Sequence, residues 1–556
     1  MLAYRTNLLA TGDASLDPLL RASSNLIALQ EAAPTDAEGL EARIAAEPLR
    51  LRPVLDAEGY WAAQIAIVRS AGDVEIRVTP GTRYTLRRIT ADGAPTPDLA
   101  PGALARAEDV LAAEAALLTR LRQDAHPFAR IERQVTVVHP AQAMDIAFSV
   151  TPGPRADFAA PLVSGTERVN PEVVRRVAAL RLAEQSYSPE RLARARADVA
   201  ALGPFASVRM ETGTALDAEG RLPVTVQVRE RPFRVLSATA AYETNFGASV
   251  RLGWQHRNLL GGAENLRVEL EASRIGTDPE LLNARAAITW RQPLPLGWDG
   301  NLVGGPALVR ERLESYDRDA FIFNLAYERR LGERWTVATG PVAEIGRSGE
   351  PGGALSPYQI AGWLVQGRYD STQSLLDPRS GLRALGSITP SYAFQDGTAY
   401  VPLRLSGSTY FDVTGNGRSI LALRGALGSL LNATAATVPP SQRFYAGGGG
   451  SVRGYDFQSI GPRTARGKPA GGASLLEGSI EWRQRLGANF GAVAFVDAGA
   501  VGTQSFAPTD TLRVGAGLGL RYYTAIGPIR ADVAVPLVRQ AGSGAFGFYI
   551  GIGHAF

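Results

Sequence analysis

Asn265-Leu266-Arg267-Val268-Glu269-Leu270-Glu271-Ala272 alternates polar and apolar side chains residue by residue. A period of two marks an extended strand, because successive side chains leave opposite faces of the backbone. One face would carry Arg267, Glu269 and Glu271, and the other Leu266, Val268 and Leu270. The pattern recurs in Val250, Leu252 and Trp254 against Ser249, Arg251 and Gln255, and in the apolar set Phe321, Phe323, Leu325 and Tyr327. Alternation alone suits a soluble sandwich as well as a membrane barrel, so number and length decide. About sixteen such segments fit between residues 232 and 556, roughly 20 residues for each strand with its connection. That spacing suits the 9 to 11 residues that cross a bilayer at a tilt, and the count is even, as in bacterial barrels. The expectation is a 16-stranded antiparallel transmembrane β-barrel.

Outward from this stretch the composition changes near Arg231-Pro232. Of the 60 glycines, 12 precede residue 232 and 48 follow, and six of the seven tryptophans also follow. The first part is rich in Ala, Arg and Glu with helical periodicity. It reads as an α+β region in which one pattern occurs three times: a short strand, two amphipathic helices, then two strands. The first copy, 1–80, has helices over Leu16 to Ala32 and Asp36 to Glu58 and strands around Ile65-Ile67 and Val74-Val78. The second, 81–154, opens with Tyr84 to Thr90 and closes with Arg133 to Val138 and Met144 to Val150. The third, 155–231, has a helix Pro189 to Ala201 with Ser188 as its cap, then strands Ser207 to Glu211 and Pro223 to Glu230.

Composition also excludes. The 58 basic and 54 acidic residues give a formal charge of +4 without a dense basic run, which argues against a nucleic-acid partner. With no cysteine there is no disulfide, thiolate metal site or cysteine nucleophile. The four histidines, His126, His139, His256 and His554, are too scattered for a paired metal site. No metal and no cofactor is expected. Gly447 to Gly450 lacks the GK[ST] of a phosphate loop, and no G-x-S-x-G elbow with a base is evident, so the chain does not read as an enzyme. Met1 to Thr11 lacks a basic and then apolar secretory leader, and reads as a processed or engineered start without its native signal peptide.

Glu58-Gly59-Tyr60-Trp61, His126-Pro127-Phe128 and Leu202-Gly203-Pro204-Phe205 each fall between the last helix and the second strand of a copy. In this they resemble POTRA domains, the aromatic covering the end of each small core. A long connection, about 432–472, holds Gly447-Gly448-Gly449-Gly450-Ser451-Val452-Arg453-Gly454-Tyr455. Its Val452, Arg453, Gly454 and Tyr455 resemble the lumen-inserted loop of the BamA and TamA superfamily of outer-membrane assembly proteins. Glu481-Trp482, Phe495-Val496-Asp497-Ala498-Gly499 and Ile526-Gly527-Pro528-Ile529-Arg530 follow in an order similar to the TamA branch. Glu477, Glu481 and Arg483 share one strand face and Phe495 and Asp497 another, so an arginine in the lumen would find Glu481 and Asp497 as partners, the pattern the resemblance also implies. Tyr369-Asp370-Ser371-Thr372 with Asp377-Pro378-Arg379-Ser380-Gly381 reads as a periplasmic turn.

Phe546, Phe548, Ile550, Ile552, His554 and Phe556 would form one face of a closing strand, His554 as an interfacial residue, with Gly547, Gly551 and Gly553 on the other. Closure would pair this strand with the first, about Val235 to Thr244, and the glycines would weaken that seam. The resemblance implies a location in the bacterial outer membrane, with the POTRA arm in the periplasm and outer-membrane lipid around the barrel. It also implies client outer-membrane proteins such as autotransporters and a TamB-type inner-membrane-anchored partner. A two-partner-type polypeptide secretion pore and a passive porin are the alternatives.

Overall fold

The computed structural model describes residues 4–32, 36–70, 73–243, 247–275, 279–508, 512–524, 527–539 and 544–556. Thr244 and Ile526, named in the sequence reading, lie outside them. Contacts divide the chain into two compact units, the second beginning in earnest at Val228.

The N-terminal region holds three three-stranded sheets of one topology, in which the strand latest in sequence lies at the centre. Arg5–Leu8 runs parallel and Gln64–Ser70 antiparallel to Asp73–Thr79. Thr85–Asp92 and Arg130–Val138 flank Ala143–Thr151 in the same senses. Leu162–Ser164 runs parallel to Val224–Glu230, with Phe205–Thr212 as the other flank. Alternation builds the cores: Val74, Ile76 and Val78 are buried against Leu16, Leu20, Leu40, Leu51 and Leu55 from the helices. The helix Ala37–Ala57 starts where Asp36 accepts the Gly39 N–H at 2.8 Å.

Two expectations fail here. The stretch Leu16 to Ala32 is two helices, Leu16–Ser23 and Asn25–Ala32, with Ser24 extended between them. The second segment has one helix, Ala107–Gln123, instead of two. Pro95, Pro97 and Pro101 withhold amide donors, and Gly102 sits at φ +87°, so residues 93–104 form turns.

The C-terminal region is one large antiparallel sheet of sixteen strands, counting Gly381–Ile388 and Ser391–Ala393 as a single strand. Both pieces pair with Ser356–Asp370 and Thr398–Asp412, and the interruption falls at Thr389-Pro390. One face is apolar and exposed, with Leu270 at 52%, Ile480 at 57% and Leu518 at 69%. The other carries charge pairs such as Arg251–Glu271 at 2.9 Å and Arg291–Glu328 at 2.9 Å. Among the described residues the first strand, Arg234–Glu243, pairs with Gly247–His256 along its whole length but meets the last, Gly547–Ile552, at one position, Glu243 opposite Tyr549. Val235, expected at that seam, is opposite Gln255 of the second strand. Among the described helices none is long and apolar enough to cross a membrane.

Candidate functional site

The connection between Ser419–Leu431 and Ser474–Leu486 folds back over the polar face of its own sheet. It is braced internally where Phe444 and Gly472 exchange amide bonds at 2.9 Å and Ile460 N–H reaches Ala446 O at 3.0 Å. Gly447 and Gly448 take φ +110° and +99°, turning the chain so that Ser451 Oγ accepts the Gly447 N–H at 2.9 Å. The tip is thereby presented to the sheet.

Arg453 lies at that tip and is 2% exposed. Its Nε and Nη2 donate to the two oxygens of Asp497 at 2.7 and 2.9 Å, and its own amide donates to the same carboxylate at 3.1 Å. Nη1 donates to Glu481 at 3.0 Å and lies 3.3 Å from Asp532. The guanidinium stacks over Phe495, 3.3 Å from the ring centroid. A planar fork bonded to one carboxylate through two nitrogens, with a third nitrogen left for others, is geometry lysine cannot reproduce.

Each strand delivers its acid by alternation. Glu477, Glu481 and Arg483 share the polar face of Ser474–Leu486, while Leu476, Ile480 and Trp482 are exposed on the other. Asp497 comes from Phe490–Gly502 and Asp532 from Gly527–Pro536. Val452 is fully buried with Ala446, Tyr455, Ile460 and Val501. Tyr455 Oη lies 2.8 Å from Val538 O and 3.1 Å from Val514 O, so its single proton serves one of two main-chain acceptors. Gly454 holds φ +96°, and a Cβ there would come 2.8 Å from the Val535 carbonyl carbon. Its amide donates to Tyr549 Oη at 3.0 Å. All four motif residues thus touch the sheet, each through a different kind of contact.

Sequence reading named Glu481 and Asp497 and missed the rest of the cluster. Asp532, fully buried, also binds Arg521, while Arg483 donates to Glu481 at 2.8 Å. Further along the same face, Glu477 accepts from Arg424 at 2.9 Å and from Ser451. A second anchor went unread. Gln442, at the start of the loop, donates to Glu344 at 3.0 Å, and Glu344 also binds Arg318 at 2.8 Å and accepts from Tyr358. Near the other end, Gln458 accepts from Ser315, and Lys468 pairs with Glu314. The signal available was the parity of Glu344 and Arg318 on their strands, but which strand faces the loop is not a local property.

The chain end departs from expectation. The alternating strand stops at Ile552, and Gly553 at φ +90° breaks its parity. His554 therefore is not an interfacial strand residue: it is buried, 3.2 Å from Asp377 and 3.9 Å from Glu481. Phe556 packs against the core of Tyr410, Ile420 and Ala422. Asp377 in the turn also pairs with Arg485 at 2.6 Å, so this segment ties strands together besides reversing the chain. Gly547 and Gly551 lie on the polar face beside Tyr549 and Arg530, whose side chains occupy the space a Cβ would need.

A family model described as the Omp85 superfamily domain matches residues 258–556. The outer membrane protein assembly factor BamA of Neorickettsia risticii (strain Illinois) is 24% identical over 463 residues, 77% of this chain and 58% of that protein. The chain thus spans little more than half the length of that relative. Among solved structures, BamA from Haemophilus ducreyi lacking POTRA domains 1-3 superposes with a TM-score of 0.64 at 18% identity, over 84% of this chain and 99% of the other. CdiB from Acinetobacter baumannii gives 0.53 at 14% identity, over 98% and 99%. At such identities the structures speak for a shared fold.

Proposed function

The chain belongs to the Omp85 superfamily, and from that premise we infer an assembly or secretion factor of the bacterial outer membrane. It has three POTRA domains in the periplasm, 1–80, 81–154 and 155–231, and a closed sixteen-stranded barrel, 232–556. It performs no chemistry: it inserts or translocates client outer-membrane proteins, autotransporters among them, as a TamA-type subunit with a TamB-type partner. Distances within the loop support closure. Only five residues separate Arg453, bound to the fifteenth strand, from Gln458, bound to the turn before the sixth. Five residues span at most about 18 Å, whereas nine flat strand spacings span about 43 Å. So short a link between strands far apart in the sheet favours a sheet curled round its loop.

The observation that carries the function is the seam, which among the described residues is one pair, Glu243 with Tyr549. Unpaired edge groups in lipid are costly, and an incoming client strand supplies the missing partners. Continuing that register to the end of the last strand sets Ala240 opposite Ile552, so cysteines at both positions would lock the seam on oxidation. Client assembly by the oxidised protein is expected to fall to background and to recover on reduction. Assembly at the normal rate with the lock closed would exclude opening as a step. A pull-down from native membranes tests the partner, since a large inner-membrane-anchored protein separates this role from a two-partner secretion pore or a porin. Deleting residues 1–154 removes two three-stranded sheets whose edge strands suit strand addition and is expected to abolish that capture.

A further inference from the structure

On the apolar face of the sheet, small side chains leave a groove of about 650 Å3. Its floor is Ala272, Ala284 and Ala286, with Ala272 directly opposite Ala284 on the next strand. In the adjoining row, Leu252, Leu270, Ala286, Leu308, Phe321 and Ile345 follow one another in register across six strands. Alanines set among leucines and a phenylalanine make a channel with apolar walls.

One register row nearer the strand ends the chemistry changes. Ala284 is followed by Arg310, Asp319 and Arg347, all three lining the groove. Asp319 already accepts two bonds from Arg312, at 2.8 and 2.9 Å. Arg347 is 4.0 Å from it with its side chain 65% exposed. Among the described residues Arg310 meets the Glu280 carbonyl at 3.5 Å and forms no ion pair. Arg312 and Arg347 share one carboxylate and Arg310 pairs with none, which leaves positive charge at the head of an apolar channel.

That pairing selects its occupant. A free phosphate has no use for the channel, and a neutral acyl lipid has none for the arginines. Guanidiniums bind phosphate oxygens in pairs, and apolar walls bury methylenes. We propose that the groove is a site for a phosphate-bearing lipid, with acyl chains over the alanines and the phosphate between Arg310 and Arg347. This rests on the membrane-barrel reading, under which the groove head lies at the end of the sheet opposite Arg234, in the outer leaflet.

The full chain in detergent, titrated with phosphatidylglycerol and read by native mass spectrometry, tests it. One lipid is expected to bind, and Arg310→Ala with Arg347→Ala to weaken it roughly thirtyfold, the equivalent of about 1 kcal/mol for each arginine. Ala286→Phe fills the channel with the arginines intact and is expected to weaken it as well. Diacylglycerol, with the same chains and no phosphate, should bind poorly, and millimolar inorganic phosphate should not displace the lipid. Equal affinity in both variants would overturn the proposal, and displacement by inorganic phosphate would reduce it to an anion site. Insertion into phosphatidylcholine vesicles is measured on the same preparations. Failure to insert overturns the membrane reading itself, whereas insertion with unchanged affinity overturns the lipid site alone.

Discussion

Replacing Arg453 by alanine strands one partner more than the others. Glu481 keeps Arg483 at 2.8 Å, and Asp532 keeps Arg521. Asp497, 1% exposed, keeps the Ser479 hydroxyl at 2.5 Å and the main-chain amide of residue 453 at 3.1 Å, and loses the two guanidinium bonds together with their charge. A buried carboxylate left without its cation costs about 3 to 5 kcal/mol. Since about 1.4 kcal/mol is a factor of ten, the open population of the loop should rise by roughly two to three and a half powers of ten. Where opening and reclosing outpace cleavage, proteolysis reports that population. The assay is limited digestion of the folded protein, followed by mapping of cuts within 447–461, with client assembly measured alongside. Arg453→Ala should be cut fast and assemble poorly while the sheet remains folded. Asp497→Asn in the same chain removes the stranded charge, so the double variant should recover part of the resistance, with a coupling of about 0.5 to 3 kcal/mol. Cleavage of Arg453→Ala at the wild-type rate, or a double variant worse than the sum of the singles, would refute the reasoning.

Three further outcomes are expected. Gly454→Ala keeps every charge but forces a Cβ into a φ of +96° and to 2.8 Å from Val535, so it should open the same loop to protease without altering the acids. Glu344→Gln removes one of two carboxylates on Arg318, which keeps Glu311 at 2.9 Å, so the midpoint of heat-induced gel mobility should fall less than for Arg453→Ala. In the N-terminal region, hydrogen bonds from Ser15 and then from Tyr60 hold the Asp13 carboxyl well below the usual carboxylate range. A depressed folded value means that the contribution is complete above the unfolded value, about 3.9, and is lost as pH falls through the folded one. Tyr60→Phe should move the Asp13 titration, followed by carboxyl NMR, back toward the ordinary value.

What could be read from the sequence follows the range of each signal. Strand parity is local, so the segregation of Glu481 and Arg483 from Ile480 and Trp482 was legible in that strand alone. The helix Pro189–Ala201 was legible from its Pro start and Ser188, whose hydroxyl accepts the Arg191 amide at 3.4 Å. The second helix expected of the copy at 81–154 overlooked three prolines, and the interfacial reading of His554 overlooked one glycine that breaks parity after Ile552.

Parity states which face a side chain takes but not which distant strand it meets. Asp532, 79 residues from Arg453, reaches the guanidinium because two further strands bring it round, and Gln442 meets Glu344 across 98 residues. The meeting of Glu243 with Tyr549 is set by where the first and last strands end in three dimensions. The sequence by itself therefore determined the strands, their faces and the arginine that must find acids. The tertiary structure decided which acids, how many and from which strands, because contacts between strands far apart in the chain are fixed by the packing of the whole assembly.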